Sequence, residues 1–191
     1  MLALVAGCAA QDGTEDGRDG SSELAASKQS LSNPIQLVNF VSQDQCLAVA
    51  AGLNKDGQAI VSWGCENSAS QTWSFEGDQL RSNVGENKCL GVNEVARPKR
   101  FGGYTDGARG VLRTCSAYAP EYVGWKKLAM PQYSIGDGSE CFRLAPLFDQ
   151  QKVLGVLGGV VTSGKASGVW SDFQGLSHLD QVWCSRPAVP Y

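Results

Sequence analysis

Two kinds of side chain in this sequence could do chemistry: thiols and indoles. There are seven cysteines, Cys8, Cys46, Cys65, Cys89, Cys115, Cys141 and Cys184. No two stand as C-x-x-C, and His178 is the single histidine. Zinc is held by closely spaced ligand pairs of these types, so the cysteines predict disulfides, with no metal or other cofactor. His178 has no nucleophile beside it. The serines and aspartates fall in no nucleophile-elbow or phosphate-cradling motif. Paired carboxylates for glycoside hydrolysis are a spatial feature that a sequence does not display. The expectation is a binding module and not an enzyme. The indoles, Trp63, Trp73, Trp125, Trp170 and Trp183, are the side chains best suited to a binding role or a core.

The 191 residues leave room for one domain of about 150 residues and a tail. Net charge is −3, so no basic stripe is available to neutralise phosphates, and nucleic acid is not an expected partner. Arg97, Lys99 and Arg100 read as a solvated loop. No apolar run reaches the ~20 residues that span a bilayer. Met1–Gly7 is apolar and ends in Val5-Ala6-Gly7 before Cys8. That arrangement resembles the lipobox of bacterial lipoproteins, although no basic segment precedes Leu2 and the apolar stretch is short. It implies lipidation of Cys8, export and anchorage at the cell envelope, with the outer membrane favoured, or secretion. It also leaves six cysteines, an even set in an exported chain. Residues 1–8 are thus expected to be a partial signal segment. Residues 9–34 are rich in Gly, Ser and acids, lack large apolar groups, and read as a flexible linker.

From Ile35 onward the texture changes. Short apolar stretches such as Ile35–Val41, Cys46–Val49, Ala59–Trp63 and Gln71–Phe75 alternate with turn residues, among them Asp56-Gly57 and Glu76-Gly77-Asp78. No stretch sustains a 3.6-residue apolar period, so the chain is expected to be all-β. Three blocks recur. The first is Gln45-Cys46-Leu47-Ala48-Val49, Trp63-Gly64-Cys65 and Gln71-Thr72-Trp73. The second is Lys88-Cys89-Leu90-Gly91-Val92, Arg113-Thr114-Cys115 and Val123-Gly124-Trp125. The third is read as Glu140-Cys141-Phe142-Arg143-Leu144, Trp170-Ser171-Asp172 and Gln181-Val182-Trp183, with Gly155–Gly164 as an inserted Gly-rich loop. Three such units fit a β-trefoil over residues 35–191, six strands closing a barrel and six capping it as hairpins.

Cys-Leu-x-Val, Trp-x-Cys and Gln-x-Trp in threefold repetition resemble the ricin B-type lectin family. The resemblance implies a carbohydrate-binding trefoil. It also implies that the Cys of Cys-Leu pairs with the Cys of Trp-x-Cys, here Cys46 with Cys65 and Cys89 with Cys115. In the third block Asp172 stands where a partner for Cys141 would be, and Cys184 is the remaining candidate. Trp73, Trp125 and Trp183 are expected in the barrel core, and Gln71 and Gln181 as hydrogen-bonding braces.

A galactose site of this family uses an acid two positions after the Cys, an aromatic at the Trp63 position, and Asn or Gln near Gln-x-Trp. The acid position, as aligned above, holds Ala48, Gly91 and Arg143, and Arg113 replaces the aromatic in the second block. That galactose constellation is absent. Two rebuilt sites remain as candidates: Trp63 with Asp56, Asn67 and Gln71, and Trp170 with Asp149 and Asp172. The expected partner is a glycan or glycosylated surface. The rival reading is a degenerate trefoil for protein–protein assembly, similar to the trefoil subunits of cytolethal distending toxins, with toxin subunits as partners. An inhibitor-type trefoil is a third reading.

Overall fold

A computed structural model describes residues 33–93, 103–136, 138–171 and 178–189. The described residues form twelve strands, one α-helical turn, α1 (Pro120–Val123), and four short 3-10 turns. They fall into three four-strand units. Lobe 1 contains β1 (Ile35–Asn39), β2 (Gln45–Val49), β3 (Ile60–Gly64) and β4 (Trp73–Glu76). Lobe 2 contains β5 (Gln79–Ser82), β6 (Lys88–Val92), β7 (Ala108–Thr114) and β8 (Trp125–Ala129). Lobe 3 contains β9 (Glu140–Pro146), β10 (Lys152–Val156), β11 (Lys165–Ser171) and β12 (Trp183–Pro187).

The first and last strands of each unit close a six-stranded barrel. Within a unit β1 meets β4 and β9 meets β12, while β4–β5, β8–β9 and β12–β1 join one unit to the next. Gln79 bridges to Gly124 at the β5–β8 junction. The middle strands pair as the hairpins β2–β3, β6–β7 and β10–β11. These caps touch one another around the axis through β3–β11, β7–β11 and the bridge Ala59–Val111. The architecture is the all-β trefoil expected from the sequence.

The three indoles of the repeat fill the barrel. Trp73, Trp125 and Trp183 are 0–2% exposed. They pack with Leu37, Leu47, Leu80, Leu90, Phe142 and Leu154. Each ring donates its one N–H to an equivalent carbonyl: Trp73 to Leu47 O, Trp125 to Leu90 O and Trp183 to Leu154 O, at 2.9, 2.9 and 3.0 Å. A buried indole leaves no donor unsatisfied in this way, and its area contributes roughly 4–6 kcal/mol as an upper bound.

That bond also corrects the repeat alignment. Leu154, not Phe142, is the counterpart of Leu47 and Leu90. Lys152-Val153-Leu154-Gly155-Val156 is therefore the third lobe's version of Gln45–Val49 and Lys88–Val92. Cys141 lies in the barrel strand β9, equivalent to β1 and β5. Gly155 and Val156 are strand residues and do not begin an insertion. The cysteine at Cys141 attracted the alignment, whereas the true counterpart carries Val153, which packs without a thiol.

Cys46–Cys65 and Cys89–Cys115 clasp the first two hairpins, with Cα separations of 5.0 and 5.2 Å. Cys141–Cys184 joins directly opposed residues of β9 and β12, with Cα atoms 4.0 Å apart. Loops of 19, 26 and 43 residues are closed in turn. Such closures stabilise a fold by about 3–4 kcal/mol each. Cys8 and the linker through residue 32 lie outside the described residues, as does Asp172.

Candidate functional site

The outward faces of the three cap hairpins differ, and two of them carry hollows. The register fixes the equivalences. Trp63 lies opposite Cys46, Arg113 opposite Cys89 and Trp170 opposite Val153. The three side chains occupy the same place in their lobes.

In lobe 2 that place is filled from within. Arg113 donates to the carbonyls of Val92 and Asn93 at 3.3 and 3.1 Å and to the hydroxyl of Tyr118 at 3.1 Å. Its guanidinium lies 5.1 Å from the Tyr118 ring centre. Its stem crosses Gly91, where a β-carbon would come within 2.7 Å of Arg113 Cγ. Glycine at 91 is what makes room for the arginine.

Lobe 3 is open. A hollow of about 360 Å³ is lined by Val156, Gly158, Gly159, Trp170, His178, Asp180 and Gln181. Asp180 is 8% exposed and Gln181 2%. A β-carbon built on Gly155 would lie 3.0 Å from Asp180 Oδ2. The carboxylate therefore stands over the strand position where the family's acid would be expected, but it comes from the segment before β12. Burial raises the Asp180 pKa. A hydrogen bond from the backbone N–H of Val156 and the charges of His178 and Arg143 oppose that rise in part. A shielded carboxylate beside an indole can accept hydrogen bonds from hydroxyls while the ring face covers an apolar surface.

Lobe 1 is also open. Its hollow of about 560 Å³ is lined by apolar residues, among them Ala48, Val49, Ala51, Val61 and Trp63, and by the polar residues Glu66, Ser68 and Ser70. Trp63 is 46% exposed. Gly164 from the β10–β11 turn lies against its edge.

The other residues singled out in the sequence are placed elsewhere. Asp56 is not at the Trp63 hollow. It pairs with Lys88 and accepts a bond from Thr114 Oγ at 2.9 Å, across the boundary between lobes 1 and 2. Asp106 repeats the arrangement between lobes 2 and 3, bonded to Lys152 Nζ at 2.6 Å and to the N–H of Ser171 at 2.7 Å. Between lobes 3 and 1 Ser163 takes the role, accepting from Gly64 N–H at 3.0 Å and donating to Gln45 Oε1 at 3.1 Å. The residues that follow, Gly57, Gly107 and Gly164, have φ of +82, +84 and +83°, which a side chain disfavours. Asp56 thus belongs to a threefold seam. Its Asp-Gly spacing reads as a turn in the sequence, and the partner across the lobe boundary is not visible there.

Gln71 is a brace, 1% exposed. It accepts from the N–H of Glu66 at 2.6 Å and donates to Gly64 O at 2.7 Å. Asn67 is exposed and does not line the hollow. Asp149 holds a turn before β10, accepting the N–H groups of Tyr104 at 2.8 Å and Gln151 at 3.2 Å. Its oxygens face backbone and it does not line the Trp170 hollow. Among the described members of the two candidate constellations, the indoles Trp63 and Trp170 sit in hollows and Asp56, Asn67, Gln71 and Asp149 do not line the hollows of their own indoles. Asp180 and His178 were missed as site residues. The available signal for Asp180 was its place directly before Gln181-Val182-Trp183, where lobes 1 and 2 carry Ser70 and Tyr122. Among the described residues no group of three or more His, Cys, Asp or Glu could hold a metal ion.

Known proteins share this plan. A seed lectin from Trichosanthes anguina is 30% identical over 80 residues, a match spanning 42% of this chain and 13% of that protein. The designed threefold-symmetric protein ThreeFoil superposes with a TM-score of 0.61 at 20% identity, covering 80% of this chain and 96% of the other. The ricin B-like lectin of Macrolepiota procera, solved with lactose, gives 0.59 at 17% identity, covering 82% and 97%. Identities this low between structures speak for the fold alone. The ricin-type β-trefoil lectin domain matches residues 33–133, more than half of the chain, and the chain belongs to that family.

Proposed function

We propose that this domain is a non-catalytic carbohydrate-binding module whose working hollow lies in lobe 3. The observation that carries the reading is the Asp180 carboxylate over Gly155, beside Trp170. A pyranose would lay its apolar face on the indole and direct hydroxyls toward Asp180, the roles that area and orientation play in small-ligand sites. His178 lines the same hollow and offers a second polar group. The family relation and the trefoil fold support a glycan as ligand. A glycan array on the folded chain tests this. Signal is expected for the wild-type chain and is expected to fall at least tenfold in Trp170→Ala and in Asp180→Asn. A signal unchanged in both variants would contradict the lobe 3 assignment.

The module would act outside the cytoplasm, lipidated at Cys8 and held at a bacterial cell envelope. Labelling with a fatty-acid analogue, abolished in Cys8→Ser, is the expected result. A second reading, protein–protein assembly, draws on lobe 2, whose ligand face is filled by Arg113. It predicts a stably co-purifying partner, such as a toxin subunit, and no sugar-dependent array signal.

A further inference from the structure

The three disulfides differ in what surrounds them. Cys46, Cys89, Cys115, Cys141 and Cys184 are at most 4% exposed. Cys65 is half-buried, and the exposed Glu66 and Asn67 follow it. A thiolate from solvent can therefore reach one sulfur of the Cys46–Cys65 bridge, whereas both cysteines of the other two bridges are covered. The buried end of the same bridge has a cation beside it. Arg186 Nη2 stands 4.0 Å from Cys46 Sγ, and Arg186 Nε donates to Gln36 Oε1 at 3.0 Å. The strand register gives lobe 2 the opposite charge at this place: Arg186 lies opposite Gln36, and Glu76 lies opposite Gln79. The segment around Cys65 is also tied down without the bridge. The Cys65 N–H donates to Asp44 O at 2.7 Å, and Gln36 Nε2 donates to Glu66 O at 2.6 Å. Gln71 holds the Glu66 N–H and the Gly64 carbonyl. These bonds keep Cys65 in place when the bridge opens.

We propose that Cys46–Cys65 is a thiol–disulfide exchange site whose substrate is an external dithiol, taken up at Cys65. The thiolate of the dithiol bonds to Cys65 Sγ, and the bond from Cys65 to Cys46 breaks. The electron pair leaves on Cys46 Sγ as a thiolate, which the Arg186 guanidinium stabilises. A thiol whose anion is stabilised leaves faster. The second thiol of the dithiol gives its proton to water and attacks the first. Cys65 is released as a thiolate, and the dithiol departs as a disulfide. The protons lost by the dithiol balance those the cysteines take up, and the bridge gains the electron pair the dithiol loses. Trp63 lies opposite Cys46, so the exchange unclasps the hairpin that carries the lobe 1 hollow. The site is a property of the bridge and does not depend on carbohydrate binding.

The test exposes the folded full chain to dithiothreitol without denaturant, quenches with iodoacetamide at intervals and maps the labelled cysteines by mass spectrometry. Cys46 and Cys65 are expected to label faster than Cys89, Cys115, Cys141 and Cys184 by about tenfold or more. A brief exposure to 2-mercaptoethanol, quenched with acid, is expected to leave the adduct on Cys65. Arg186→Gln separates charge from packing, with the other two bridges as internal clocks. Loosened packing would speed the opening of Cys46–Cys65. Loss of the charge is expected to slow it severalfold, and Arg186→Lys to restore most of the rate. The inference is overturned if the three bridges open together, if the adduct forms on Cys46, or if Arg186→Gln leaves the opening rate unchanged or raises it.

Discussion

At the scale of single residues, Asp180 governs how the molecule should respond to pH. Burial raises its pKa, so its ionised form is costlier in the folded chain than in the unfolded one. Its linkage has a definite sign. Stability is gained as pH falls through the raised pKa toward the ordinary value of 3.8. Ligand affinity moves the other way, because protonation removes the acceptor. Affinity should fall on acidification in a range that begins above 3.8, and Asp180→Asn should flatten that dependence while leaving the fold as stable or slightly more so. Calorimetric titrations of both chains across the acid range check this; a wild-type profile as flat as the variant's would count against Asp180 as the acceptor. Gln71 gives a contrasting case. Gln71→Ala removes two bonds to the Gly64–Glu66 turn and should cost about 1–3 kcal/mol in denaturant unfolding. Trp73→Ala should cost more, about 3–5 kcal/mol, since it empties the barrel.

At the scale of elements, the hairpin caps show what the sequence displayed and what it hid. Strands, turns and the barrel tryptophans were legible because short apolar runs bounded by turn residues and Gln-x-Trp are local patterns. The first two disulfides were expected from the family resemblance, in which the Cys of Cys-Leu pairs with the Cys of Trp-x-Cys. Lobe 3 was misaligned because Cys141 imitates the motif at a barrel strand, while β10 kept the shape of the motif with Val153 in place of the thiol. The threefold seam was hidden for a different reason: Asp56 and Asp106 contact residues of the next lobe, 32 and 46 positions away. Asp180 was hidden because its carboxylate reaches a position that sequence reasoning assigns to another strand. The seam makes its own prediction. Lys152 and Ser171 hold the Asp106 carboxyl below its ordinary pKa, and for Asp56 bonds from Lys88 and Thr114 outweigh the opposing effect of burial. Their contribution is therefore present above 3.8 and lost as pH falls below it, opposite in sign to Asp180. Both pairs are partly exposed, so Asp106→Ala should cost only about 0.5–1 kcal/mol, read from urea midpoints at neutral pH. Removing the β9–β12 bridge with Cys141→Ser and Cys184→Ser should cost several times that, about 3–4 kcal/mol.

At the scale of the whole molecule, a pseudo-threefold scaffold carries three unlike faces. Lobe 2 is filled by its own Arg113, lobe 1 presents methyl groups around Trp63, and lobe 3 presents a carboxylate beside Trp170. The scaffold residues repeat because they close one barrel; the face residues diverge because each hairpin's outer side bears no such constraint. The five tryptophans divide in the same way, three buried under the caps and two in the hollows. Their indole N–H signals therefore report the molecule's plan in one spectrum. The most direct test of the central claim is a two-dimensional NMR titration of the ¹⁵N-labelled chain with the glycan that scores highest on the array. The Trp170 signal should move with ligand and saturate, while Trp73, Trp125 and Trp183 stay in place. A saturating glycan that leaves the Trp170 indole unmoved would contradict the account.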